Sequence, residues 1–225
     1  LMHRAEQLDN LYIFKNTEGT PENIRKFHPN IIVSSTGSAP LLPPIAGLKD
    51  RIDNENHNIY SILGMISHIN DFPKDLEGKK VVVVGGGAVG LDVVEFFADR
   101  NADISIVEMM DQIGRDLDPV SKNDTKTMMK KHNVHQLTKT ALLEVKDSSF
   151  LVRGDGEPYE LPFEYGFVCL GMRAQGQLYQ NLTEEFSSED VEIMNIGDSQ
   201  RARRIIDGTQ EGRNVLTVLE QKGYL

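Results

Sequence analysis

The stretch Val81–Gly90, VVVVGGGAVG, decides the fold of this protein. Its four valines form a continuous apolar run that predicts a buried strand, and helical spacing begins near Ala88. Three glycines, Gly85, Gly87 and Gly90, stand at the strand-to-helix turn in the pattern G-x-G-x-x-G. The stretch therefore predicts the first half of a strand–helix–strand unit.

Each glycine has a physical task at such a turn. Gly85 permits the tight turn, Gly87 lets the backbone approach a pyrophosphate, and Gly90 lets the helix pack closely on the strand. The helix N-terminus adds amide donors and the positive end of the helix dipole. The turn is therefore predicted to bind a dinucleotide pyrophosphate; the alternative is a glycine turn in an α/β domain that binds no ligand.

A carboxylate follows at the end of the next predicted strand. The run ISIV, residues 104–107, ends at Glu108, about 20 residues beyond the glycines. A carboxylate at this position accepts hydrogen bonds from the adenosine ribose hydroxyls and repels a 2′-phosphate. Glu108 therefore favours NADH over NADPH, although Arg115 is close enough in sequence to soften that preference. The alternative is that Glu108 is a solvated strand end.

The pattern beyond the glycine turn continues to alternate strands with helices. A second helix is predicted from Pro119, because Asp118 supplies an N-cap and proline suits the first helical position. Shorter spacing and recurring turn residues in 135–167 predict an antiparallel meander. This arrangement predicts the α/β class, with a parallel sheet covered by helices.

Three segments punctuate the chain. Proline and glycine recur in 38–50 and 71–80, and a polar stretch occupies 175–188. Such segments are typical of junctions between folding units. A new unit is therefore predicted to begin just before the valine run.

Two weaker motifs lie outside that unit. The segment SSTGSAP contains Thr36 and Gly37, follows a predicted buried strand at 31–33, and by itself is compatible with an ordinary turn. The segment IMNIGDSQ places Gly197 and Asp198 at the end of another apolar strand, ahead of the last predicted helix. Asp198 is interpreted either as an acceptor for sugar-alcohol hydroxyls or as a helix N-cap.

The last helix is preceded by the basic cluster Arg201, Arg203 and Arg204. Positive charge near a helix N-terminus opposes the helix dipole, so either an anionic pyrophosphate compensates it or the cluster is a solvated turn. Gly223 is predicted to end the helix. One apolar face is predicted to contain Ile205, Gly212, Leu216 and Leu219.

Composition excludes several classes of function. The formal net charge is −10 and the pI is about 5.1, so the protein repels nucleic acid and anionic lipid. No apolar run is long enough for a membrane span or a signal core, and a cytoplasmic location is expected. The one cysteine, Cys169, supplies neither an internal disulfide nor a redox pair. His132 and His135 are close together without a third ligand, so no metal site is expected.

The order of these motifs resembles that of flavoproteins in which an NAD domain is inserted into an FAD domain. The resemblance is carried by STGSAP, GGGAVG with Glu108, FVCLG at 167–171 and IGDSQRARRIIDGTQEG at 196–212. Over nearly its whole length the chain resembles the C-terminal region of NADH:flavin oxidoreductases related to 2,4-dienoyl-CoA reductase and clostridial enoate reductase, in the old yellow enzyme group.

The resemblance implies a Rossmann-like NAD(P)-binding domain, with a parallel sheet plus an antiparallel meander, inserted between two pieces of an incomplete FAD-binding domain. Residues 1–75 would be a partial FAD-binding domain, 76–176 the NAD(P)-binding domain, and 177–225 the C-terminal piece of the FAD-binding domain. The family's FAD half starts with its own glycine fingerprint, and none precedes Ile31. The chain is therefore expected to be a fragment that binds FAD poorly by itself.

The resemblance also implies roles for residues and partners. NADH would reduce FAD, and electrons would pass through an iron–sulfur cluster to FMN in an N-terminal barrel and then to an α,β-unsaturated substrate. Thr36, Gly37, Gly197 and Asp198 would line FAD, and Gly171 would lie where nicotinamide meets flavin. The residues expected to bind NAD are Gly85, Gly87, Ala88, Val89, Gly90 and Glu108.

No side chain is expected to act as an acid or base, because nicotinamide and flavin carry the hydride chemistry. The missing barrel would choose the acceptor, such as a dienoyl-CoA, an enoate, a steroid-like enone or oxygen. The alternative is a non-catalytic module that retains ADP as a structural element. Its nicotinamide end would be filled by side chains, whereas an enzyme needs open space near Gly171.

Overall fold

The structure is a computed structural model that describes residues 2–5 and 7–224. Its helices are α1 (Met2–Ala5), α2 (Pro21–Arg25), α3 (Leu48–Arg51), α4 (Ile62–Ser67), α5 (Ala88–Ala98), α6 (Pro119–Lys131), α7 (Gln177–Glu185) and α8 (Ile205–Gln221). Its strands are β1 (Ile31–Ser34), β2 (Ser38–Pro40), β3 (Ile59–Tyr60), β4 (Lys80–Val84), β5 (Asp103–Val107), β6 (His135–Leu137), β7 (Ala141–Val145), β8 (Ser149–Arg153), β9 (Tyr159–Pro162), β10 (Tyr165–Val168), β11 (Met172–Ala174) and β12 (Glu192–Asn195).

The chain divides into two compact units. The larger unit is Ala39–Arg173, and the smaller unit combines the residues up to Ser38 with those from Ala174 onward. The larger unit begins earlier than the boundary predicted at residues 75 and 76. The reason is that β3 pairs with β10 at the edge of the main sheet, and Ile59 is fully buried there. Which cofactor each unit binds stays a prediction.

The larger unit is built on a five-stranded sheet in the order β3-β10-β4-β5-β6. All of its strand pairs are parallel. The valine run forms the central strand β4, and all four valines are buried. A continuous apolar run is the pattern of a parallel strand that is covered on both faces. The predicted α/β class is confirmed.

The two faces of β4 belong to separate hydrophobic clusters. Val81 and Val83 pack in a cluster with Phe97 of α5. Val82 packs in the other cluster, with Phe150 of the antiparallel strands. The side chains alternate because successive residues of a strand point to opposite faces. This central strand therefore joins the helical layer to the antiparallel layer.

The elements around the glycine turn begin where the sequence predicts them. Helix α5 starts at Ala88 after the N-cap Gly87. Helix α6 starts at Pro119, and the Asp118 carboxylate accepts hydrogen bonds from the backbone N–H groups of Val120 and Ser121 at 3.0 and 3.1 Å. Strands β7, β8 and β9 form the predicted antiparallel meander, whereas β6 and β10 at its two ends join the parallel sheet.

The smaller unit contains a parallel pair of strands, β1 and β12. Ile32 of β1 packs with Leu182 of α7 and with Phe186, the residue directly after α7. The predicted strand at 31–33 exists, but it is only half buried, since Val33 is 40% exposed. The boundary between the two units, at Arg173 and Ala174, adjoins the polar stretch predicted as a junction at 175–188. That stretch also holds α7, whose apolar residues recur at four-residue spacing.

The predicted apolar face of the last helix is mostly uncovered. Leu219 is 3% exposed, but Ile205 is 91% exposed and Leu216 is 66% exposed. The residues do share a side of α8, but no described element covers most of that side. Gly223 has a φ of 80° just after the helix end, as predicted. Within the described ranges, no helix is both long and apolar enough to cross a membrane.

Candidate dinucleotide-binding site

The glycine turn joins β4 to α5 in a conformation that requires glycine. Gly85 has a φ of 111°, and a Cβ atom there would lie 2.2 Å from the Cys169 carbonyl oxygen. A Cβ atom on Gly90 would lie 1.9 Å from the Gly85 carbonyl oxygen. These two glycines therefore allow strand, turn and helix to pack closely, as the fingerprint predicts.

Gly87 differs from its two neighbours in the fingerprint. It is exposed at the N-terminus of α5, and a Cβ atom there would meet nothing within 4 Å. The backbone at this position is open to solvent at the end of a helix where N–H groups lack intrahelical partners. The turn thus offers the donors and the access that a pyrophosphate requires.

Glu108 lies beside the turn and is held by two backbone donors. Its Oε2 atom accepts a hydrogen bond from the Gly86 N–H at 2.7 Å, and its Oε1 atom accepts one from the Met110 N–H at 2.7 Å. An ionised carboxylate offers about four acceptor positions, so this one keeps capacity for further donors such as ribose hydroxyls. Glu108 is therefore an oriented carboxylate rather than a solvated strand end.

A cavity of about 620 Å³ adjoins the turn within the larger unit. Its walls come from the glycine turn, the ends of β5 and β10, the start of the meander and the segment before α3. The lining residues are Pro43, Ile45, Val84, Gly85, Gly87, Ala88, Val89, Val107, Glu108, Met109, Asp116, Thr140, Ala141, Leu142, Cys169, Leu170 and Gly171.

The structure brings together most of the residues that were predicted to bind NAD. Gly85, Gly87, Ala88, Val89 and Glu108 all line the cavity. Gly90 does not line the cavity, because this residue is buried beneath the turn, where its lack of a side chain matters for packing. The role of these six residues in binding NAD stays a prediction.

Gly171 lies at another part of the same cavity wall. Its φ is 105°, and a Cβ atom there would meet nothing within 4 Å. The space next to this residue is therefore not filled by protein side chains.

A second cavity of about 350 Å³ also has Glu108 in its wall. Arg115, Asp116 and Gln112 line it together with Gly86 and other residues of the turn. Arg115 is thus close to Glu108 in space as well as in sequence. Asp116 places a second carboxylate in the same neighbourhood, which opposes the attraction of Arg115 for a phosphate.

Several residues that line the first cavity could not be predicted from local sequence motifs. Pro43 and Ile45 come from the segment before α3, and Thr140 and Leu142 come from the start of the meander. The Ala46–Glu144 bridge holds these two segments together. Their contribution depends on a contact between residues that are almost 100 positions apart, and only the folded chain brings them together.

Cys169 follows β10 and is 8% exposed. Burial, with a smaller contribution from the charge of Asp92, raises the pKa of its thiol to about 12. A thiol with such a pKa is inert at neutral pH, because the thiolate is the nucleophile. The structure therefore gives this cysteine a packing role.

We expect the Cys169 thiol to react very slowly with a disulfide reagent at pH 8. Its pKa of about 12, against an ordinary value of 9.0, lowers the thiolate fraction about a thousandfold. The reaction rate, followed by absorbance, should rise at least about thirtyfold when guanidinium chloride unfolds the protein, because the greater nucleophilicity of a high-pKa thiolate offsets only part of the loss of thiolate. Equal rates in the folded and unfolded protein would show that the thiol is accessible and ionisable.

The smaller unit brings its two weaker motifs to the same end of β1 and β12. The Ser38 hydroxyl donates to Asp198 Oδ2 at 3.2 Å, and the backbone N–H of Arg203 donates to Asp198 Oδ1 at 3.1 Å. Gly37 and Gly197 have φ values of 74° and 68°, and a Cβ atom on either would meet nothing within 4 Å. The carboxyl ends of neighbouring parallel strands are where α/β folds bind ligands.

Thr36 and Arg203 of the basic cluster have protein partners in this unit. The Thr36 hydroxyl donates to the Gln175 carbonyl oxygen at 2.6 Å. Arg203 pairs with Glu211, which also accepts a hydrogen bond from the Gly197 N–H at 2.6 Å. Hydrogen bonding to Glu211 raises the pKa of Arg203 further. A carboxylate of α8 therefore compensates this arginine within the protein.

Comparison with known proteins identifies the family. The profile of the pyridine nucleotide-disulphide oxidoreductase family matches residues 9–194, which is most of the chain. The chain belongs to this family. It is an FAD- and NAD(P)-binding oxidoreductase domain, and its fold is the one that the family uses for these nucleotides.

Two relatives match most of this chain. It is 26% identical over 195 residues to an NADH oxidase of Thermoanaerobacter brockii, covering 86% of this chain and 28% of that protein. It is 26% identical over 235 aligned residues to a metal reductase of Desulforamulus reducens, covering 88% of this chain and 32% of that protein. This chain thus spans less than a third of the length of either relative.

A solved structure shows the same fold. A 2-naphthoyl-CoA reductase in complex with 2-naphthoyl-CoA superposes with a TM-score of 0.75 at 21% sequence identity, covering 94% of this chain and 30% of that one. The similarity extends over both units of the chain.

Proposed function

We propose that the larger unit binds NADH and that the protein uses it to reduce FAD bound by the smaller unit. The bound nicotinamide and flavin would supply the hydride chemistry. The chain itself would bind, orient and shield the reactants. Gly85, Gly87, Ala88, Val89 and Glu108 would hold the NADH, with Gly90 setting the packing beneath them.

The observation that carries this proposal is the continuous cavity from Gly87 and Glu108 to Gly171. It combines a helix N-terminus, an oriented carboxylate and a largely apolar wall, which are the features that a dinucleotide requires. The open space next to Gly171 supports an enzyme rather than a module that retains ADP, because a structural module has no need for room beyond the adenosine half.

The smaller unit has features that fit a flavin dinucleotide. Gly37 and Gly197 leave space beside Thr36 and Asp198 at the carboxyl ends of β1 and β12. Asp198 already accepts two hydrogen bonds, and a carboxylate retains acceptor positions for the hydroxyls of a sugar alcohol. These four residues would line FAD.

The complete protein would extend this electron path. By resemblance to NADH:flavin oxidoreductases of the 2,4-dienoyl-CoA reductase and enoate reductase type, electrons would continue through an iron–sulfur cluster to FMN in a barrel of the same protein. An α,β-unsaturated compound would be the acceptor. The CoA thioester bound by the structurally similar naphthoyl-CoA reductase is consistent with such an acceptor.

Calorimetric titration with NADH, NADPH, ADP and FAD tests the proposal. We expect NADH to bind at least about tenfold more tightly than ADP, because the nicotinamide half adds contacts along the apolar wall. NADPH should bind more weakly than NADH. Equal affinities for ADP and NADH would favour the structural module, and binding of none of the four ligands would reject the site.

Glu108→Ala should weaken NADH binding about tenfold, because charge-assisted hydrogen bonds to the ribose hydroxyls are lost. The matched control is Glu157→Ala, which removes an exposed carboxylate from a turn of the same unit. Titration of both variants with NADH measures the difference. If Glu108→Ala binds NADH as well as Glu157→Ala does, Glu108 is not a ribose contact.

A further inference from the structure

We propose that Gly86, which the glycine fingerprint leaves unspecified, is the positioning residue that sets the preference for NADH over NADPH. This inference rests on the proposed function of the larger unit. Gly86 is buried between the two fingerprint glycines that precede α5, and both of its backbone polar groups are engaged. It acts through Glu108 and need not contact the ligand.

The peptide groups of Gly86 tie the glycine turn to the loop that follows β5. The Gly86 N–H donates to Glu108 Oε2 at 2.7 Å, and the Gly86 carbonyl oxygen accepts from the Gly114 N–H at 2.7 Å. The other Glu108 oxygen accepts from the Met110 N–H at 2.7 Å. One residue therefore connects the turn both to the carboxylate and to the loop that carries Arg115.

The missing side chain of Gly86 is what leaves room for the carboxylate. A Cβ atom there would lie 2.9 Å from Glu108 Oε2, and 3.2 Å from both Cβ and Cγ of Glu108. These neighbours belong to a side chain rather than to the backbone, and Gly86 has no positive φ. A methyl group at this position would therefore push the Glu108 carboxylate aside, while Glu108 Cβ, which is attached to the main chain, would need to shift by only a few tenths of an ångström.

Displacement of Glu108 has a specific chemical consequence. The carboxylate favours the two ribose hydroxyls of NADH and repels the 2′-phosphate of NADPH, whereas Arg115 attracts that phosphate. Both side chains line the cavity beside Gly86. When Glu108 leaves its two backbone donors, NADH loses an acceptor and NADPH loses a repulsion. The ratio of the affinity for NADH to the affinity for NADPH must therefore fall.

The experiment compares NADH and NADPH binding to the wild type, Gly86→Ala, Glu108→Ala and the double variant by calorimetric titration. We expect Gly86→Ala to lower the NADH:NADPH affinity ratio about tenfold. In the Glu108→Ala background, Gly86→Ala should change the ratio less than about twofold, because residues that act through one contact are not additive. Gly156→Ala, at an open turn of the same unit, is the control.

An equal loss of affinity for both ligands in Gly86→Ala would overturn the inference, because it would indicate general damage to the turn. An additive effect in the double variant would also overturn it. If the wild type binds neither nucleotide, the proposed function itself fails. If the wild type binds NADH but Gly86→Ala leaves the NADH:NADPH affinity ratio unchanged, only the inference about Gly86 fails.

A second measurement does not depend on the folding of Gly86→Ala. Amide hydrogen exchange at Gly86 and Met110 should be at least about tenfold faster in Glu108→Ala than in the wild type, because both donors lose their acceptor. Exchange at residues of β4 away from the turn should be unchanged. Unaltered exchange at Gly86 would show that the carboxylate does not hold this peptide group.

Discussion

Gly87→Val should weaken NADH binding by about a hundredfold and leave the fold in place. Gly87 is exposed, has an ordinary φ of −78°, and a Cβ atom there meets nothing within 4 Å. A valine side chain therefore fits the protein but projects into the space where the pyrophosphate must approach the backbone. The loss corresponds to about 2.7 kcal/mol of binding free energy.

The measurement is calorimetric titration with NADH, accompanied by urea unfolding of the same samples. Gly156→Val is the matched control, since a Cβ atom at Gly156 also meets nothing within 4 Å and that residue lies in a turn away from the cavity. We expect both variants to keep their stability to within about 1 kcal/mol. Undiminished NADH binding by Gly87→Val would mean that the ligand does not approach this turn.

Gly85→Ala should lower the free energy of unfolding by about 3 kcal/mol. Its φ of 111° is costly for any residue with a side chain, and the added Cβ atom would lie 2.2 Å from the Cys169 carbonyl oxygen. That oxygen belongs to the backbone directly after β10, which pairs with β4, so it cannot move aside without disturbing the central sheet. Strain and overpacking therefore add together.

Urea unfolding measures this change, and Gly78→Ala separates its two causes. Gly78 has a φ of 74° in the same unit, but a Cβ atom there meets nothing within 4 Å. We expect the control to lose only about 1 kcal/mol, from backbone strain alone. Equal losses in the two variants would show that the close approach to Cys169 contributes nothing.

These two glycines illustrate why one motif carries two kinds of effect. Gly85 is needed by the fold, because its missing side chain lets the turn pass the end of β10. Gly87 is needed by the proposed ligand, because its missing side chain leaves open space. The fingerprint assigns a separate role to each of these glycines, and the atoms around Gly85 and the open space at Gly87 fit those roles.

Much of the larger unit could be predicted from local sequence. The valine run, the glycine spacing and the Asp118–Pro119 pair each specify an element through residues that are adjacent in the chain. Strand burial, turn geometry and helix capping act over short distances, so a pattern of about ten residues is enough to predict them. Glu108 belongs to the same group, because its position follows from the length of one helix and one strand.

Other features are decided by tertiary packing. The segment 39–75 joins the larger compact unit, in which Leu48 and Ile59 are fully buried, although the resemblance implied that this segment belongs to a partial FAD-binding domain. The apolar side of α8 remains largely exposed at Ile205 and Leu216, because amphipathic spacing reveals a face but not whether another element covers it.

The sequence by itself therefore determined the α/β class, the glycine turn and the carboxylate beside it, since these depend on short-range spacing. Tertiary structure alone decided which distant segments complete the cavity, as Ile45 and Leu142 do, and that Glu108 is held by Gly86. The physical reason is that a hydrogen bond or an apolar wall needs atoms to meet in space, and residues far apart in the chain meet only when the whole unit folds.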